Sequence, residues 1–165
     1  MKAGITAKYS LGSGFGGKID LMKNTPRYII VHHTGTIADY PDTLPEKYTF
    51  EMVRTYHTKK GWETIGYHYF IDAQGIVHQG REDLYHGAHC REMNMNTQSI
   101  GICLAGDFDT TLPNTAQIHS LKKLLREKNT FYQIPKDKIV PHRHFTKKSC
   151  YGKNISDTWA RELLD

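Results

Sequence analysis

The chain has no apolar run approaching the ~20 residues that a membrane-crossing helix requires, which excludes a helical membrane protein. Its first twenty residues, MKAGITAKYSLGSGFGGKID, hold lysine but no continuous apolar stretch after it. Nothing there reads as a secretory leader, so synthesis is expected to end in the cytoplasm. Cysteine is scarce: three residues, an odd number that rules out a complete disulfide framework and favours reduced thiols. No helix-turn-helix, RNA-binding sheet motif or zinc-finger spacing is present, which argues against nucleic acid even though the net charge is +5 and the pI about 9.0. That charge suits approach to some other anionic polymer. A paired-carboxylate motif of the glycosidase kind is also missing.

What is present bounds the architecture. The 165 residues suffice for one domain with a real core, and 38% hydrophobic with 24% charged residues is globular composition. Gly12, Gly14, Gly16 and Gly17 crowd the amino terminus, so residues 1–26 read as a flexible arm and 27–165 as the domain. Tyr28 to His33 reads as a strand. Thr49 caps a helix running to about Lys60, with Phe50, Val53, Tyr56 and His57 at helical spacing and Gly61 as its stop. GYHYFID and GIVHQG form a hairpin, with Tyr67 alternating with Tyr69 on one face. Ser99 to Ala105 is a third strand. Asn114 and Gln117 make a capping box for a helix carrying Ile118, Leu121, Leu124 and Leu125, and a last short helix starts near Ser156 and buries Trp159 and Leu163. Interleaved in this way, the elements predict an α/β (α+β) single domain, a central mixed sheet flanked by helices.

Chemistry concentrates in two places. The segment PHRHFTKKSCYG holds His142 and Cys150 eight positions apart, just after the apolar Ile139 and Val140, and His32 ends the run of β-branched and aromatic residues in YIIVHH far upstream. Imidazole nitrogen and thiolate sulfur suit Zn²⁺, and three protein ligands leave a fourth tetrahedral position for water. The basic surroundings of Cys150 predict a lowered thiol pKa. Cys103, in SIGICLAG, reads as a small buried hydrophobe, and the role of Cys90 is open. Strand alternation sends His33 to the opposite face from His32, and His68 away from Tyr67. His144 is set aside as a ligand. His86, His89 and Cys90 form a rival metal set that the first outweighs.

Six pieces in order, IVHHTGT, WETIGYHYFIDAQGIVHQGR, HGAHC, NTQSIGICLAGDF, LPNTAQ and PHRHFTKKSC, resemble the zinc-dependent N-acetylmuramoyl-L-alanine amidases, a family that takes in phage T7 lysozyme and the peptidoglycan recognition proteins. The resemblance spans roughly residues 27 to 160. It implies that family's fold, Zn²⁺ held by His32, His142 and Cys150, and catalytic roles for Tyr67 and Lys148. It implies peptidoglycan or a muropeptide as substrate, cut between N-acetylmuramic acid and L-alanine. No membrane insertion is expected, and a monomer is. The family commonly has proline after the cysteine ligand; Tyr151 stands there instead. A phage or prophage endolysin, acting on the wall after release, is the leading reading. A cytoplasmic amidase recycling anhydromuropeptides follows, and then a recognition module that binds without cutting, although such relatives typically lack the cysteine that is present here.

Overall fold

The computed structural model describes residues 23–165, so most of the glycine-rich stretch expected to form an arm lies outside the described residues. Residues 23–25 are already tied to the body. Lys23 bridges Tyr85, and buried Asn24 accepts from the Ser99 N–H while donating to the Ser99 and Asp83 carbonyls.

Five strands form one mixed sheet: β1 (Tyr28–His33), β2 (Tyr69–Ile71), β3 (Val77–Gln79), β4 (Ser99–Leu104) and β5 (Ile139–Pro141), in the spatial order β3-β2-β4-β1-β5. All neighbours are parallel except the β2–β3 hairpin. Central β1 and β4 are buried along nearly their whole lengths because both faces are covered. On one face Ile29, Val31, Ile100 and Ile102 pack against Leu121, Leu124 and Leu125 of helix α2 (Thr115–Phe131). The capping box is formed: Asn114 accepts from the Gln117 N–H, and Gln117 accepts from the Asn114 N–H. Asp83 fixes α2 to the hairpin by accepting from Tyr69, Tyr132 and Lys128.

The opposite face is split. One apolar cluster gathers Ile37, Tyr48, Val53, Ile65, Phe70 and Cys103 beneath helix α1 (Phe50–Lys59), whose cap Thr49 accepts from the Met52 N–H. Another gathers Ile30, Cys90, Met95 and Val140. Between these clusters the lining turns to histidine, and this is where the sheet face carries chemistry.

Two expectations are corrected. Strand β2 begins only at Tyr69, so Tyr67 and His68 precede it, and Tyr67 faces the α1 side while Tyr69 packs against α2. The chain bends here because buried His57 of α1 accepts the Gly66 N–H at 2.9 Å. The last helix, α3 (Trp159–Glu162), starts three residues later than Ser156.

Candidate metal centre

Parallel pairing places Val31 of β1 beside Pro141 of β5, so the next residues, His32 and His142, fall side by side with ring centroids 4.5 Å apart. Cys150 returns to them on a loop pinned by Arg143. The Arg143 backbone N–H donates to the Cys150 carbonyl, and its guanidinium to the Ser149, Gly152 and Ile155 carbonyls. One ligand atom each from His32, His142 and Cys150 lie within 4.8 Å of one another. The Cys150 Sγ to His32 Nδ1 distance is 3.7 Å. Tetrahedral zinc, with bonds of roughly 2.05 Å to nitrogen and 2.3 Å to sulfur, sets such an edge at about 3.6 Å, so the donors fit that ion.

The hydrogen bonds behind His32 determine which of its nitrogens is free. A backbone carbonyl only accepts, so Ser99 Oγ, 2.6 Å from the Met95 carbonyl, gives its one proton there. His89 Nε2, 3.3 Å from the same hydroxyl, must then be the donor to it. That leaves His89 Nδ1 as an acceptor, 2.9 Å from His32 Nε2, which therefore carries the proton. Only His32 Nδ1 keeps a lone pair, and it faces Cys150. From the sequence His89 reads only as a member of a rival metal set in a polar loop, whereas its ring is buried behind His32. His86 stacks on Tyr85 instead, and His86, His89 and Cys90 do not converge on a ligand position among the described residues.

A family model described as N-acetylmuramoyl-L-alanine amidase matches residues 22–153. The chain belongs to the N-acetylmuramoyl-L-alanine amidase family. Peptidoglycan-recognition protein SC2 of Drosophila melanogaster is 33% identical over 158 residues, covering 90% of this chain and 84% of the relative. The endolysin of Escherichia phage T7 is 30% identical, covering 68% and 75%. Among solved structures, the N-acetylmuramoyl-L-alanine amidase LysC from Clostridium intestinale superposes with a TM-score of 0.73 at 26% identity, covering 86% of each chain.

In this amidase-family domain, burial first, then the neighbouring His142 and His89, holds His32 well below the usual imidazole range. Burial also lowers His142, helped by the charge of Lys148 and opposed by Glu92. Both imidazoles are thus neutral, as ligation requires. The expected lowering of the Cys150 thiol is corrected: burial pushes it up to about 12, outweighing the His33 N–H at 3.4 Å and the Lys148 charge. A cation in the site would offset that cost.

Tyr67 sits with its ring 5.1 Å from that of His32, and burial together with the Cys103 and Cys150 thiols holds its phenol well above the usual range. Its hydroxyl is therefore protonated at neutral pH. Lys148 is exposed at the rim, near enough for its charge to act on His142 and Cys150. His33 turns to the other side and accepts from the Phe108 N–H at 2.9 Å, and His68 is a core residue bonded to the Gly101 N–H and the Tyr85 carbonyl. His144 is exposed, its ring against Phe145. The Cys150–Tyr151 peptide is cis, and Tyr151 is buried with its ring against Trp159.

Proposed function

We propose that the protein is a zinc-dependent N-acetylmuramoyl-L-alanine amidase that hydrolyses the bond between N-acetylmuramic acid and L-alanine of peptidoglycan, acting as a phage or prophage endolysin. The observation that carries this reading is the convergence of His32, His142 and Cys150 at zinc-compatible separation on one sheet face. A zinc ion bound there supplies Lewis acidity and brings the pKa of a water toward ~7.

The chain's own groups complete the chemistry. Amide hydrolysis concentrates negative charge on the carbonyl oxygen, and Lys148 at the rim provides a cation for it. Tyr67, protonated beside His32, offers a hydrogen bond to the same reacting group. His89 and Ser99 keep the His32 proton on the side away from the reaction.

Digestion of purified sacculi, with mass analysis of products and metal content measured alongside, tests the reading. Free L-alanine amino termini and intact glycan are expected; cleaved sugars would contradict it. Greater activity on soluble anhydromuropeptides than on sacculi would favour the recycling role. Because one relative is a recognition protein, binding without cleavage is a second reading, and a zinc-loaded protein that retains muropeptides but releases no amino terminus would establish it.

Lys148→Ala is expected to lower turnover by about 10²–10³-fold, and Tyr67→Phe by about 10²-fold or more, with zinc content unchanged in both. Steady-state kinetics near wild type would remove the residue concerned from the mechanism.

A further inference from the structure

The two imidazoles of the candidate centre differ in how their nitrogens are held. His32 Nε2 is bonded to His89. In His142, Nε2 is buried beyond the reach of water and has no hydrogen-bond partner among the described residues. Leaving such a nitrogen unpaired costs about 1–3 kcal/mol. A carboxylate oxygen of Glu92 lies 3.8 Å away, too far for a hydrogen bond.

We propose that Glu92 is the positioning residue for His142: its carboxylate accepts the proton of Nε2 and so turns the lone pair of Nδ1 toward His32 and Cys150. The inference rests on the zinc reading of the site. Closure needs a movement of about one ångström to reach hydrogen-bond distance. Glu92 has room to make it: its side chain is 35% exposed, and among the described residues it is otherwise approached by the Cys90 thiol at 3.5 Å and by Arg91 Nε at 4.0 Å.

The segment that carries Glu92 is fixed to the centre. Asn96 Oδ1 accepts from the His89 and Cys90 N–H groups at 2.8 and 2.9 Å. Met93 and Asn94 then turn the chain in the left-handed region, at φ 51° and 58°, and Met95 takes the Ser99 proton. One loop therefore addresses both ligands, His89 behind His32 and Glu92 behind His142. A ligand histidine that donates its far N–H to a carboxylate is a better electron donor, and losing such a partner weakens metal binding by about 10–100-fold.

Cys90, Glu92 and His142 also form a three-donor group, which raises the prospect of a second ion. Filling it alongside the first would require the neutral His142 ring to lose its one N–H proton and bridge as an imidazolate, so a positioning role accounts for the contact with less.

The test uses the full chain. Zinc affinity is measured by chelator competition for wild type, Glu92→Ala and Glu92→Gln, and the His142 tautomer by ¹⁵N NMR in the zinc-free protein. Wild type is expected to show a single Nε2-protonated form and one zinc. Glu92→Ala should lose about 10–100-fold in affinity and show mixed tautomers, with Glu92→Gln between them. Should Glu92→Ala misfold, Glu92→Gln, which keeps the side-chain volume, carries the comparison. Unchanged affinity and tautomer overturn the proposal, as does a second zinc in wild type that is lost from Glu92→Ala. A wild type that binds no zinc at all fails the proposed function instead, which keeps the two readings separable.

Discussion

Cys150→Ser is expected to abolish zinc retention under mild chelation and to lower the release of L-alanine amino termini by on the order of 10³-fold or more, with the fold intact. The size follows from what the thiolate does. In the proposed zinc centre it would be the soft, anionic member of the donor set, and serine offers a neutral oxygen that does not ionise near neutral pH. Without the ion, water has its ordinary pKa of roughly 16 and is a poor nucleophile toward an amide. The fold should persist because the loop is held by backbone and Arg143 contacts that do not involve Sγ. Circular dichroism, zinc content and product analysis on one preparation check all three points. A serine variant with stoichiometric zinc and wild-type rate would remove Cys150 from the centre.

Gly101→Ala is expected to be nearly as damaging although it touches no ligand. Gly101 lies in β4 opposite Ile30, and a Cβ there would sit 2.5–2.7 Å from three atoms of the His89 ring. The ring has little room to retreat, since a Cβ on Gly87 would be only 2.4 Å from it on another side. Overpacking of this kind costs about 1–3 kcal/mol, and displacing the ring breaks its bond to His32. We expect lower stability together with weakened zinc binding. The cause is separable by a double-mutant cycle: His89→Ala removes the obstructing ring, so adding Gly101→Ala to it should cost little further stability, while zinc affinity stays low. Additive stability losses, measured by denaturant unfolding, would mean that the clash with His89 is not the reason.

These expectations draw on parts of the molecule that the sequence reveals unequally. Regular segments were readable because burial imposes a period: β1, α1 with its Thr49 cap, β4 and the Asn114–Gln117 box all lie where pattern and capping chemistry put them. The three residues that converge at the candidate centre were singled out too, through residue type and motif order. The support behind them was not. His89 sits in a polar loop whose geometry depends on two consecutive left-handed residues, Met93 and Asn94, neither of them glycine, so no local signal announces the turn. Tyr67 was placed on the face of Tyr69 by an alternation that holds only within a strand, and β2 starts two residues after it. The thiol of Cys150 was read from the charges flanking it in sequence, whereas its burial dominates.

The adjacency of β1 and β5 at one edge of the sheet has a thermodynamic consequence. His32 near the end of β1 and His142 just after β5 are far apart in sequence, so the three residues come together only once the far end of the polypeptide has docked beside the near end. Any ion held there binds the finished topology in preference to opened forms, and at a thousandfold excess over its dissociation constant it adds about 4 kcal/mol of resistance to unfolding. Zinc should therefore raise the melting temperature in a concentration-dependent way, acting as a clasp on the closing strand as well as a reagent.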